Sequence, residues 1–203
     1  MAEKSPIVLR KVEFVKSATH PRHYPPAEMR EIAFAGRSNV GKSSLINGLL
    51  QRKNLVKVSN TPGRTQLLNF FQVNDELSIV DLPGYGFAKV PHEVKDKWGK
   101  MIENYLKTRE TLCAVIVLMD LRRGIQEDDI QLIEALPFFQ IQPILVFTKA
   151  DKYKRNARLQ RRRELAKEHG FSPNDLILTS STKNMGLDTL WQRIIDLTSI
   201  DAD

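Results

Sequence analysis

From residue 31 onward the chain alternates short apolar runs with longer segments whose apolar residues recur at helical spacing. "EIAFA" (31–35), "LCAVIVLMD" (112–120) and "PILVFTK" (143–149) are continuous apolar runs, the pattern of strands buried on both faces. "QLLNFFQV" and "ELSIVDL" are two further strand-like runs separated by the turn pair Asn74-Asp75, and "DLILTSS" is another. Between them, 43–51 reads as a helix, as does 92–108, where Trp98, Met101, Ile102 and Tyr105 recur at helical spacing. Further helices are expected near 126–136, 154–169 and 186–198. The pattern therefore predicts an α/β fold of three layers, a mostly parallel six-stranded sheet covered by helices, because right-handed crossovers place helices on both faces. Ligands of such sheets bind beyond the carboxyl ends of the strands.

Residues 1–30 are proline-marked and polar and read as an N-terminal extension, leaving 31–203 as a single domain. No apolar run approaches the roughly 18 residues of a spanning helix, and "MAEKSPIVLRKVEF" lacks a signal-peptide core, so a cytoplasmic protein is expected. The single Cys113, inside an apolar run, suits a reducing compartment and reads as core packing. The four histidines lack partners at zinc-ligand spacing. A net charge of +7 is more informative, because a basic surface attracts polyanions.

"GRSNVGKS" (36–43) follows a strand and opens a helix, and it satisfies G-x-x-x-x-G-K-[ST]. Gly36 and Gly41 let backbone N–H groups turn inward around an anion, Lys42 reaches terminal phosphates, and Ser43 offers a hydroxyl to a bridging magnesium. The nucleotide is chosen further on, where a buried strand ends in "TKAD", Thr148 to Asp151. Two carboxylate oxygens match the adjacent N1–H and N2–H₂ donors of guanine and nothing equivalent on adenine. "IVDLPGYG" ends another strand in Asp81, which fits a carboxylate holding magnesium through water, with Gly84 where backbone must approach a third phosphate. The second magnesium hydroxyl must come from "SNTPGRTQ", with Thr65 preferred over Thr61.

In this order and spacing, "GRSNVGKSSLIN", "TPGRTQ", "DLPGYG", "TKAD" and "SSTKNMGLDTL" resemble the EngB (YihA/YsxC) family of bacterial GTPases, within the TrmE-Era-EngA-EngB-like group, from about Glu31 to Thr198. The resemblance implies a P-loop GTPase fold and a GTP-hydrolysing switch needed for assembly of the large ribosomal subunit, with a link to septum formation; a monomer is expected. It implies nucleotide contacts along Gly36, Arg37, Ser38, Asn39, Val40, Gly41, Lys42 and Ser43, and along Gly63, Arg64, Thr65, Gln66 and Leu67. Asp81, Leu82, Pro83 and Gly84 would follow the third phosphate; Thr148, Lys149, Ala150, Asp151, Thr179, Ser180 and Ser181 would surround the base. Lys42 and Thr65 carry the catalytic assignment, and Ser43, Thr65 and, through water, Asp81 the Mg²⁺.

In Ras-type switches a glutamine after the D-x-x-G glycine orients the attacking water, and here Tyr85 stands there. Unaided hydrolysis is therefore expected to be slow. Asn39 occupies the position that potassium-activated relatives use to hold K⁺, and it reads equally well as a turn residue. Tyr85 and Phe87 read either as a partner-facing surface or as packing. Between Asp151 and His169 eight Lys or Arg face three acids, a solvated helix face or a contact for ribosomal RNA phosphates. A nucleotide-gated scaffold at the membrane or septum stands as the alternative function; "TKAD" argues against a kinase.

Overall fold

The computed structural model of the chain describes residues 6–56, 67–85 and 92–199, with side chains omitted for 92–98. A seven-stranded sheet carries the architecture: β1 (Val12–Ala18), β2 (Arg30–Gly36), β3 (Leu68–Val73), β4 (Leu77–Asp81), β5 (Leu112–Asp120), β6 (Gln142–Thr148) and β7 (Leu176–Leu178). The helices are α1 (Lys42–Leu49), α2 (His92–Thr108), α3 (Glu127–Ala135), α4 (Arg155–His169) and α5 (Leu187–Thr198). Strand order is β1-β3-β4-β2-β5-β6-β7, and β3 alone runs against the others. All the remaining carboxyl ends thus face one edge.

The expected six strands become seven because the segment assigned as an extension supplies β1. Its pairing with β3 is antiparallel and slips between Phe14 and Lys16. Phe14 and Val15 are both exposed, so the stretch shows neither the alternation nor the apolar run that marks a buried strand.

Period-two alternation within the central strands builds two separate cores. Ile32 and Phe34 of β2 face α1 and α5, joining Ile116, Leu118, Val146, Leu45, Ile46, Leu190 and Trp191. Ala33 and Ala35 face the opposite way, toward Val115, Val117, Phe147 and the inner residues of α2, α3 and α4. Trp191 Nε1 also donates to the Leu49 carbonyl at 3.0 Å, fixing α5 on the end of α1.

A buried carboxylate and its partners sit between the sheet and α2. Glu31 is fully buried and accepts from Ser78 Oγ (2.9 Å), Tyr105 OH (2.5 Å) and Arg109 Nε (3.0 Å). Arg109 also donates to the Pro25 carbonyl at 2.8 Å and lies over the Phe70 ring. The cluster therefore pins both the end of α2 and the polypeptide entering β2. Removing one member of a buried pair of this kind costs about 3–5 kcal/mol.

Candidate functional site

The carboxyl edge of the sheet brings the predicted loops together. Gly36 ends β2, Asp81 ends β4, Asp120 ends β5 and Thr148 ends β6, so four loops emerge side by side. The phosphate loop between β2 and α1 turns through Asn39 (φ 61°) and Gly41 (φ 104°), both left-handed. At Gly41 a side chain would strain that backbone. Its carbonyl already accepts the first α1 bond, from Leu45 N at 2.9 Å. The N–H groups opening α1 are thereby left facing the loop.

Lys42 Nζ contacts the Asp81 carboxylate directly, and both side chains are largely buried. A cation and an anion side by side at a helix N-terminus are matched to a phosphate and to a divalent metal respectively. Asn69 Nδ2 approaches the other Asp81 oxygen at 3.5 Å. Among the described residues no cluster of three or more His, Cys, Asp or Glu could hold a metal. An ion here would rest on Ser43 and Asp81 together with the nucleotide's own oxygens, a hard donor set that suits magnesium. Thr65, with Gly63, Arg64 and Gln66, lies outside the described residues.

The base loop is tied to the phosphate loop by two side chains. Buried Thr148 donates its hydroxyl to the Val40 carbonyl at 2.6 Å. Lys149, itself left-handed at φ 59°, donates from Nζ to the Asn39 carbonyl at 2.8 Å and to Asp120 Oδ2 at 3.0 Å. Asp151 accepts from Ser180 Oγ at 2.7 Å, and this bond holds its carboxyl below the ordinary aspartate range, so that it is an ionised acceptor at neutral pH. The Ser180 N–H is spent on the Met185 carbonyl at 3.0 Å, so Ser180 acts on Asp151 through its hydroxyl. Gly186 closes that loop at φ 71°, where an added Cβ would lie 2.1 Å from the Leu178 carbonyl oxygen.

Gly84 and Tyr85 reach back over the phosphate loop. Ser38 N donates to the Tyr85 carbonyl at 3.0 Å, and Tyr85 N to the Gly36 carbonyl at 3.2 Å. A Cβ on Gly84 would sit 3.4 Å from Ser38 N, which shows how near the two loops come. The Tyr85 ring turns inward, and its hydroxyl donates to Asp129 Oδ1 at 2.7 Å. Burial above all, with the adjacent Asp129 carboxylate, pushes the phenol pKa far up, so it stays protonated. Tyr85 is packing, and of the two aromatic residues considered for partner contact, Phe87 lies outside the described residues.

These features agree with what the chain is similar to. The model of the family described as 50S ribosome-binding GTPase matches residues 31–149. A probable GTP-binding protein EngB of Geotalea daltonii is 53% identical over 188 residues, covering 93% of this chain and 91% of that protein. The chain belongs to the EngB family of GTP-binding proteins. It is a GTPase. An EngB protein of Desulfatibacillum aliphaticivorans is 54% identical over 201 residues, covering 96% of this chain and 95% of that protein. A crystal structure of a probable EngB GTP-binding protein superposes with TM-score 0.68 at 25% identity, covering 83% of this chain and 98% of that one. Era in complex with MgGDPNP and a 16S ribosomal RNA segment shares the fold, with TM-score 0.66, 22% identity and coverage of 87% of this chain and 59% of that one.

Within this EngB site, sequence reasoning passed over Asp120. Burial works to raise its carboxyl, but hydrogen bonds from Arg122 and Lys149 outweigh that and hold it well below the carboxylate range. Arg122 grips it from Nε (2.9 Å) and NH2 (2.6 Å). The available signal was an acid at the carboxyl end of a central strand, "VLMD", where ligands of such sheets bind.

Proposed function

We propose that this EngB GTPase is a slow molecular switch acting in assembly of the large ribosomal subunit. The match to the ribosome-binding GTPase family over residues 31–149 carries the ribosomal part of this reading. In it, Gly36–Ser43 cradle the phosphates, Lys42 neutralises them, and Asp151 and the Ser181 N–H recognise guanine. Magnesium held by Ser43, Thr65 and, through water, Asp81 would neutralise charge on the phosphoryl oxygens. Thr65 and Gly84 answer to the third phosphate, so its removal releases the segments that carry them and changes the surface offered to a ribosomal partner. The cytosol is the compartment this reading implies, and septation would suffer through a shortage of ribosomes. Among the described residues no helix is long and apolar enough to cross a membrane.

Sedimentation tests the function. The protein should co-migrate with large subunits in one nucleotide state, GTP analogue or GDP, and be released in the other. Lipid binding with no co-migration in any state would instead support the scaffold reading.

Slow turnover follows from Tyr85, whose buried hydroxyl is committed to Asp129 and cannot orient water. The group supplying positive charge in its place is proposed to be a potassium ion beside Asn39. Its left-handed backbone suits a turn, yet the exposed side chain makes no hydrogen bond to another described residue and is free to offer an oxygen. Hydrolysis at constant ionic strength should be faster in potassium chloride than in sodium chloride, because an ion that fits the site places positive charge where negative charge develops during transfer. Asn39→Ala should erase that difference and keep nucleotide binding. Equal rates in both salts would leave Asn39 a turn residue only.

A further inference from the structure

The structure sorts the cations of α4 in a way the linear run does not show. At 100° per residue Gln160, Glu164, Lys167 and Glu168 share the outward side, so that side is of mixed charge. Arg163, also exposed, stands with them, while Arg158, Arg161 and Arg162 lie on the inner flank of the helix. Arg158, Arg161 and Leu165 form one row (i, i+3, i+7), and an added Cβ on Gly124 would lie 3.0 Å from both Arg161 NH2 and Leu165 Cδ2. The loop between β5 and α3 therefore runs against this row and adds Arg122 and Arg123, with Arg122 close enough to feel Tyr153 and Asp151 just before α4.

Neutralisation is incomplete. Arg122 is paired with Asp120 at 2.6 Å and Arg161 with Glu164 at 3.7 Å. Among the described residues no carboxylate lies within salt-bridge distance of Arg123, Lys154, Arg158 or Arg162, and Arg162 Nε is buried with no hydrogen-bond partner. Unpaired guanidinium forks that reach the surface, as those of Arg123 and Arg158 do, suit phosphate oxygens, which they meet two bonds at a time.

We infer that the basic surface where α4 meets the β5–α3 loop binds the phosphodiester backbone of RNA. This rests on the ribosomal reading above and names the surface that would serve it. An anionic membrane is the poorer occupant, because the apolar side of α4, Leu165 and Ala166, is 1% exposed and packed on the sheet, leaving nothing to insert. An acidic protein is poorer too. Among the described residues the large exposed hydrophobics, Val8, Phe14, Val15, Leu67 and Phe138, all lie on other elements, so this surface lacks the apolar anchor on which protein interfaces depend.

The test uses the full chain loaded with a non-hydrolysable GTP analogue and a fluorescein-labelled RNA hairpin, with anisotropy read across a potassium chloride series. Arg158→Gln/Arg162→Gln should weaken binding about tenfold and lower the log–log salt slope by about 0.7–0.9 per lost phosphate contact. Arg123→Gln/Arg158→Gln, which leaves the partly buried Arg162 in place, should do the same if the first variant folds poorly. Labelled GDP should bind both as it binds the wild type, and Lys11→Gln/Lys16→Gln on β1 should leave RNA binding unaltered. The inference is overturned if both arginine variants bind RNA with wild-type affinity and slope, if the β1 variant loses as much, or if the wild type prefers phosphatidylglycerol vesicles or an acidic peptide to the hairpin. Wild type that fails to co-sediment with large subunits counts against the ribosomal reading; variants that co-sediment and bind the hairpin like wild type count against this surface alone.

Discussion

Lys42→Ala should lower GTP affinity by at least about thirtyfold, since losing one partner of a buried charge pair costs about 2–5 kcal/mol and each 1.4 kcal/mol is a factor of ten. Two effects act in the same direction. The substitution removes the cation aimed at the phosphates, and it leaves Asp81, 3% exposed, as an uncompensated carboxylate at the place a phosphate must enter. A titration with fluorescent GTP analogue measures the loss, and circular dichroism separates it from unfolding. Affinity within a factor of three of wild type would remove Lys42 from the phosphate site.

Asp151→Asn should weaken GTP by at least about tenfold and improve xanthosine triphosphate, since the amide places a donor where guanine also donates and xanthine offers a carbonyl. Ser180 makes the effect clean. Its hydroxyl at 2.7 Å lowers the Asp151 pKa, and a depressed carboxyl stays charged at every pH above its own pKa, so guanine preference should be flat from neutral into mildly acidic solution. Competition between the two triphosphates for labelled nucleotide reads the switch directly. Unaltered preference in the variant would mean that another group reads the base.

Much of this was legible in the sequence because the controlling physics is local. A strand buried on both faces must be apolar throughout, so "LCAVIVLMD" announced β5 from Leu112 to Asp120 without reference to its neighbours. The phosphate loop needs glycine where φ is positive, a lysine next to it and a hydroxyl after that, and chain connectivity alone delivers those in register at Gly41, Lys42 and Ser43. "TKAD" was readable for the same reason, since the residues that close a strand lie at its carboxyl end.

What the sequence left open depends on partners distant along the chain. β1 is held as a strand by β3, with partners from Ala18–Leu68 to Val12–Val73 far apart along the chain, and its exposed Phe14 and Val15 carry no pattern of their own. Tyr85 could face solvent or core, and the choice is made by Asp129, 44 residues on, which gives a buried phenol its hydrogen bond. Asp120 becomes part of the site only because β5 and β6 lie side by side, bringing Lys149 within 3.0 Å. The run of cations before His169 is a list until the helix winds it and the β5–α3 loop packs on one side, and then its charges separate into a mixed outer face and an inner flank where Arg161 is paired and Arg158 is not. Local spacing thus determined which loops carry chemistry; packing decided which way their side chains point, because a buried polar group must find its partner wherever the fold has placed one.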